Sequence, residues 1–267
     1  GAGLCGFKTW VNIRGKSSTV VVLFSTVDGT CQAVIEATAL GQTRTAAMTG
    51  VGTKRLAPTG ADDMAIIGTG KQALPQIAAC AAVLPLKKLR IHSRSAENRE
   101  RLADAVRAQF DLEITLADSV DEAVRDAPVV TVVTNSTEPF LTSDMIGRGV
   151  HINAMGAIVL ARSEFTTDIF PRSAVVAVDN LETIRNISSE FRAYYGEDDA
   201  KWAEVKTIAQ VIEEDIVRPA DADLTLFKAM GMGLSDMALA CDILAKAREQ
   251  GFGHPVPERI KTPPVLT

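Results

Sequence analysis

The run that most constrains this 267-residue chain is Ile66-Ile67-Gly68-Thr69-Gly70-Lys71-Gln72-Ala73, where a short apolar segment meets G-x-G-x-x-A and passes straight into an Ala-rich helical pattern. The first glycine permits a tight turn, the second lets backbone approach a pyrophosphate, and Ala73 stands where helix and strand must pack closely. The helix that follows offers free N–H groups and a partial positive charge to phosphates. In isolation such a run also fits a plain structural turn. The strand before it, the helix after it and a further strand about 20 residues on favour a dinucleotide site. Cofactor-binding candidates are therefore Gly68, Thr69, Gly70, Lys71 and Gln72.

The surrounding pattern predicts the sheet that such a site requires. Met64 to Ile67, Leu89 to His92, Glu113 to Leu116, Val129 to Val133, Val150 to Ala154 and Ala174 to Val178 read as short buried strands. Helices alternate with them: one to about Leu84, one N-capped by Ser95 and running to about Phe110, and a short one opened by the capping box Ser119-Val120-Asp121-Glu122. Alternation of this kind indicates an α/β fold with a Rossmann-type doubly wound parallel sheet. The start of the chain reads differently. Thr19 to Phe24 and Cys31 to Ile35 predict a hairpin around Asp28-Gly29, and a small-residue helix from about Thr38 to Leu56 follows. Beyond Leu234, the apolar positions Met237, Ala238, Cys241, Leu244 and Ala245 predict a helix that stops at Gly251, before an extended Pro-rich tail from Pro255 to Pro264. With Ala57-Pro58-Thr59-Gly60 as a boundary, residues 59–221 form the nucleotide-binding domain, and 1–58 plus about 222–267 form a second, α+β domain.

The end of the second strand indicates which dinucleotide. An NAD site places Asp or Glu there to accept from the ribose 2′-OH. This chain has His92-Ser93-Arg94-Ser95 and no acid. A hydroxyl beside a guanidinium suits a 2′-phosphate, so Ser93 and Arg94 favour NADP, with NAD as the alternative. The plainer reading is an N-capping Ser95 preceded by a surface arginine.

Other function classes find little support. The 28 Lys plus Arg against 33 Asp plus Glu give a net charge of −5, which argues against a nucleic-acid partner, and two Trp and two Tyr supply no base-stacking platform. The longest apolar stretches, Val20 to Phe24 and Ala78 to Leu86, are far short of the roughly 20 residues a membrane helix needs. Cys5, Cys31, Cys80 and Cys241 form no C-x-x-C pair and read as small buried apolar side chains. His92, His151 and His254 lack partners at ligand spacing, so no metal site is expected. No secretory signal pattern opens the chain, and a reducing cytoplasm is the expected location. Gly15-Lys16-Ser17 resembles the end of a P-loop, but Trp10 occupies the first glycine position. Gly233-Leu234-Ser235-Asp236-Met237 lacks the final glycine of a nucleophile elbow, and the sequons at Asn135 and Asn186 are patterns only.

Two cations outside the strand–helix repeat complete the candidates. Lys8 sits in Cys5-Gly6-Phe7-Lys8-Thr9, and Arg44 in Gly41-Gln42-Thr43-Arg44-Thr45-Ala46-Ala47. Facing a cleft, a Lys and an Arg can clamp a carboxylate. By spacing alone, solvated surface groups are the better reading of both.

Gly6-Phe7-Lys8, Arg44-Thr45-Ala46-Ala47, Gly68-x-Gly70-x-Gln72, His151-Ile152-Asn153-Ala154-Met155-Gly156-Ala157, Arg162-Ser163-Glu164 and Thr225-Leu226-Phe227-Lys228-x-x-Gly231 with Asp236 occur in this order. Together they resemble the ornithine cyclodeaminase/mu-crystallin family over nearly the whole chain. The resemblance implies a homodimer, with the second domain serving substrate binding and dimerisation. It implies hydride exchange between NAD(P) and the Cα of a small imino or amino acid, as in ketimine or pyrroline-carboxylate reductases. It assigns the substrate carboxylate to Lys8 and Arg44, and the cofactor to Arg44, Thr45, the Gly68 loop, Thr134, Met155 and Gly156. The family also carries a longer segment before its Gly-x-Lys motif, with further substrate contacts. Cyclodeaminases have an acid/base Asp two residues beyond the glycine matching Gly156, where this chain has Ile158, and isoleucine moves no protons. The alternatives are an ornithine cyclodeaminase-type lyase that recycles NAD, and a non-catalytic NADP-binding protein like mu-crystallin.

Overall fold

The structure is a computed structural model and describes residues 3–14 and 16–256. The Pro-rich tail beyond Val256 and the glycine of Gly15-Lys16-Ser17 lie outside the described residues. The chain divides into two compact units: residues up to Ala37 together with those from Asp236 on, and Thr38–Ser235.

The first unit is built on an antiparallel meander of β1 (Leu4–Ile13), β2 (Lys16–Ser25) and β3 (Cys31–Glu36). The turn expected at Asp28-Gly29 joins β2 to β3. Asp28 Oδ1 accepts from the Thr30 backbone and hydroxyl, and Gly29 supplies the positive φ of +72°. Strand β1 has no counterpart in the sequence reading, because Gly6, Lys8, Thr9 and Asn12 break its apolar alternation. Lys16 and Ser17 open β2, so no phosphate loop forms there.

The second unit opens with α1 (Thr38–Leu56), followed by β4 (Asp63–Ile67), α2 (Ala73–Ala81), β5 (Lys88–His92), α3 (Ala96–Arg107), β6 (Glu113–Leu116), α4 (Val120–Val124), β7 (Val129–Val132) and β8 (Val150–Ala154). It continues with β9 (Ser173–Val178), α5 (Leu181–Ile187), α6 (Ser189–Tyr195), α7 (Asp199–Trp202), β10 (Lys206–Thr207), α8 (Ile208–Glu213) and β11 (Leu224–Lys228). Eight strands pair in parallel in the order β10-β9-β11-β8-β7-β4-β5-β6. Both faces are covered, which is why the strands read as continuous apolar runs. Met64 and Ile66 join a core with Ile77, Leu89 and Ile91, while Ala65 and Ile67 join the opposite core with Val130, Val132 and Ile152. The cap at Ser119 forms, but Glu122 reaches back to the Asp118 N–H rather than that of Ser119, so the reciprocal box is displaced by one residue.

Helix α9 (Gly233–Glu249) crosses from one unit into the other. Its buried stripe is Asp236, Ala240 and Leu244, whereas Ala238 and Ala245 are exposed. The expected apolar face is therefore rotated, because a buried, ion-paired aspartate occupies a position that hydropathy assigns to solvent. The domain boundaries also differ from expectation. Helix α1 and strand β11 belong to the sheet unit, since β11 is hydrogen-bonded between β8 and β9. Two cysteines depart from the buried reading as well: Cys5 and Cys31 are exposed on the meander, while Cys80 is buried and Cys241 half-buried.

Candidate active site

The strand order reverses between β4 and β7, with β5 and β6 added on one side and β7 and β8 on the other, and at such a switch point the carboxyl ends of the strands open a crevice for ligands. Gly68 leaves β4 with φ +112°, and a Cβ there would lie 2.6 Å from the Val133 carbonyl oxygen. Only glycine lets the two strand ends approach so closely. A Cβ on Gly70 would meet nothing within 4 Å, so the loop faces open space where a phosphate would sit. Ala73, the first residue of α2, is fully buried. Gln72 caps that helix, and its buried Oε1 has no hydrogen-bond partner among the described residues. Lys71 is exposed beside it.

The Thr69 hydroxyl donates to Ser93 Oγ at 3.1 Å, and Ser93 Oγ donates to the Ser95 carbonyl at 3.1 Å. This hydroxyl chain joins the Gly68 loop to the end of β5. Arg94 is exposed there, and Arg99 fixes the turn by donating to the Ser93 carbonyl at 2.8 Å. Ser95 caps α3 as expected. A turn of this shape, a helix start free of carboxylates, a hydroxyl and an exposed guanidinium fit the phosphates of a dinucleotide.

Thr134 and Met155-Gly156 stand at the ends of β7 and β8, beside this crevice. A side chain singled out by sequence only as part of a motif organises them. Glu164 is fully buried, and its Oε1 accepts from the Thr134 N–H and hydroxyl at 2.6 and 2.8 Å. Its Oε2 accepts from the Gly156 and Ala157 N–H groups at 2.7 and 3.1 Å. The Thr134 hydroxyl proton is thus committed to Glu164. Lys228, also fully buried, donates to the Ala157 carbonyl at 2.6 Å. After Ala157 the chain carries three exposed apolar residues, Ile158, Val159 and Leu160.

Arg44 lies on α1, half-buried, and a Cβ on Gly231 would lie 3.1 Å from both of its terminal nitrogens. Its charge reaches Asp179, at the end of β9, whose carboxylate accepts from the Asn180, Met230 and Gly231 N–H groups. Burial raises the Asp179 pKa, while these N–H groups and Arg44 pull against the rise. Arg44 therefore stands at the same carboxyl edge, by the ends of β9 and β11. Thr45 spends its hydroxyl on the Gly41 carbonyl of its own helix. Lys8 belongs to the other compact unit, where its ammonium pairs with Asp236 Oδ1 at 2.7 Å.

Two further titratable groups are buried away from solvent. His151 is fully buried, between Thr225 Oγ1 at 2.9 Å and Asn153 Oδ1 at 3.1 Å, and desolvation pushes its pKa down to about 3. Burial pushes the Cys80 thiol up to about 11, which leaves it unreactive. Among the described residues no group of His, Cys, Asp and Glu could hold a metal ion.

The family model of the ornithine cyclodeaminase/mu-crystallin family matches residues 12–251. The chain belongs to that family. A relative, the Delta(1)-pyrroline-2-carboxylate reductase of Bacillus cereus, is 29% identical over 239 residues, covering 89% of this chain and 73% of its own. The ketimine reductase mu-crystallin of Mus musculus is 32% identical over 221 residues, 82% of this chain and 66% of its own. Among solved structures, Thermococcus litoralis Delta(1)-pyrroline-2-carboxylate reductase in complex with NADH and L-proline superposes with a TM-score of 0.84 at 26% identity, covering 90% of this chain and 75% of that one. The family model starts beyond Lys8 and takes in Arg44, the Gly68 loop and Glu164.

Proposed function

We propose that this member of the family is an NAD(P)-dependent imine reductase acting on a small α-imino acid, cyclic ketimines of the pyrroline-2-carboxylate kind being the first substrates to test. The observation that carries the reading is the carboxyl edge at the β4–β7 switch, where the Gly68 loop, the Ser93–Arg94 turn and the Glu164-bound ends of β7 and β8 meet. Relatives named as reductases of such imines support it. Reduced nicotinamide, when bound, supplies the hydride that adds to the substrate Cα, and a proton adds to the nitrogen.

The chain's own groups bind and orient. Arg44 offers a fork for the substrate carboxylate and approaches the cofactor, and its position at the carboxyl edge supports both roles. Lys8 receives the same substrate role through family likeness, its ammonium held by the nearly buried Asp236. Gly68, Thr69, Gly70, Lys71 and Gln72 bind the pyrophosphate, with Thr45, Thr134, Met155 and Gly156 completing the cofactor contacts. Ser93 and Arg94 make NADP the preferred form, since no carboxylate ends β5 to accept from a 2′-OH. Ile158 stands where a cyclodeaminase has its acid, which favours reduction over deamination.

A second copy of this chain covers the meander. Phe7 and Val34 both pair with Val22, so they share one face, and they are 52% and 63% exposed. Phe24 stacks beside Phe7 at 6.3 Å. An apolar face of this kind suits a two-fold contact between identical sheets. No helix among the described residues is long and apolar enough to cross a membrane, and the four cysteines are free, which suits a reducing cytoplasm.

The test is NADPH and NADH oxidation across a panel of cyclic imino acids, run beside ammonia release from ornithine. The reading predicts oxidation with imines and negligible ammonia. Ammonia and proline formed at a comparable rate would replace it with the lyase. A cofactor-dependent rise in melting temperature with no turnover of any imine would replace it with a binding protein.

A further inference from the structure

Glu164 and Lys228 are buried charges with no place in binding or hydride transfer as described above, and both act on the same short turn. Through four donors, the Glu164 carboxylate joins Thr134, at the end of β7, to Gly156 and Ala157, at the end of β8. The fit is tight, for a Cβ on Gly156 would lie 2.3 Å from Glu164 Oε1 and from the Thr134 nitrogen and oxygen. Lys228, at the end of β11, fixes the far side of the Ala157 peptide through its carbonyl. Residue Ala157 is thus held at its N–H by one charge and at its C=O by the other. The carboxylate is itself positioned, because the Glu164 N–H donates to Glu190 Oε1, and Glu190 Oε2 accepts from the Ser188 hydroxyl at 2.9 Å. Fully buried charges are costly unless they are paired or hydrogen-bonded, and here the partners are backbone groups of the two loops beside the crevice together with the Thr134 hydroxyl.

We propose that Glu164 and Lys228 are positioning residues that lock the Thr134 and Met155–Ile158 strand ends into one rigid floor for the nicotinamide ring. The assignment rests on the imine-reductase reading for its kinetic consequence, but not for its structural one. Replacing Glu164 with glutamine keeps the volume and turns one acceptor oxygen into a donor amide. Whichever way the amide lies, either the Thr134 donors or the Gly156 and Ala157 donors face N–H instead of oxygen. One strand end is then released while the fold keeps its core. A displacement of about 1 Å at a reacting centre costs about 100-fold in rate.

The experiment compares wild type, Glu164→Gln, Lys228→Met and the double variant in the full chain. It follows amide hydrogen exchange, the fluorescence of bound reduced nicotinamide, cofactor Kd, and hydride-transfer rate by stopped flow. The expected result for Glu164→Gln is faster exchange confined to the segments around 134 and 156–157. Ring fluorescence should be altered, Kd should change little, and the transfer rate should fall about 100-fold. Lys228→Met should show the same pattern more weakly, and the double variant less than the product of the two, since both act through Ala157. A merely structural role would raise exchange throughout and lower stability while the folded fraction kept its rate. That outcome, or a rate within about twofold of wild type in a folded variant, overturns the assignment. If Glu164→Gln does not fold, Lys228→Met is read by the same criteria. If wild type reduces no imine, the functional reading fails and fluorescence with exchange still decides. Identical ring fluorescence and exchange in wild type and variants overturn the positioning role.

Discussion

The carboxyl edge of the parallel sheet and the outer face of the meander are opposites. At the edge, three charged groups are buried and matched: Glu164 takes four donors, Asp179 takes three backbone N–H groups, and Lys228 reaches a carbonyl. On the meander, the apolar side chains Phe7, Val11 and Val34 are more than half exposed. The first region is preorganised, as a site for hydride transfer must be. The second is an exposed apolar face, the surface that a second copy of the chain is proposed to cover. Cofactor binding and the proposed assembly are therefore separable by mutation.

The largest expected effect breaks assembly and leaves the sheet site intact. Each apolar side chain buried at a dimer contact contributes about 1.5–3 kcal/mol, so Phe7→Asp with Val34→Asp should weaken association by at least about 3–6 kcal/mol. Sedimentation velocity should show monomer where wild type is dimer, with cofactor Kd unchanged. A double variant that stays dimeric would remove the meander face as the interface.

On the other side of the comparison, Arg44→Ala should lower kcat/KM by about 1.5–3 kcal/mol through the loss of charged hydrogen bonds. Arg44→Lys should restore little, because one ammonium cannot reproduce a fork. Steady-state kinetics on a cyclic imine decide it, and an unchanged kcat/KM in the alanine variant would take Arg44 out of the site. Cofactor choice should move by a similar amount. Titration of both cofactors should show wild type binding NADP about 10- to 150-fold more tightly than NAD, with Ser93→Asp/Arg94→Ala inverting the order. Equal affinities in the wild type would mean that Arg94 serves solvent alone.

The smallest effect concerns the core beneath the edge. His151 stays neutral when folded because burial lowers its pKa from 6.5 to about 3, with Arg218 nearby adding to the drop. In the unfolded chain it takes up a proton near 6.5, so its contribution is complete above that pH and is lost as pH falls towards about 3. The loss reaches at most about 1.4 kcal/mol per pH unit. Urea midpoints between pH 7 and 4 should fall more steeply in wild type than in His151→Asn. Equal slopes would show that other groups carry the acid sensitivity.

The legible parts of this molecule were those whose physics is local in sequence. Gly68-x-Gly70 with Ala73 announced a strand, a turn and a helix start, and Ser93-Arg94 stood where the second strand had to end. The three-stranded meander was only half visible, because β1 is interrupted by Gly6, where a Cβ would lie 2.1 Å from the Val22 carbonyl oxygen, and by Lys8, which pairs with Asp236. Strand β11 was quoted as a motif but not placed, since it inserts between β8 and β9, out of chain order. Glu164 was hidden most deeply. Three of its four donors are backbone N–H groups up to 30 residues away, and backbone donors leave no trace in side-chain pattern. Asp236 misled for the related reason that an ion pair buried it at a position hydropathy gives to water.

The central claim, that this edge delivers a hydride to the Cα of an imino acid, is tested most directly by isotope transfer. The reaction of a cyclic imino acid is run with NADPH carrying deuterium at either C4 position, and the product amino acid is analysed by mass spectrometry. The account predicts one deuterium, bound at Cα, from one of the two labelled cofactors and none from the other. Product without label from either cofactor, or label exchanged into ammonia-releasing turnover of ornithine, would contradict it.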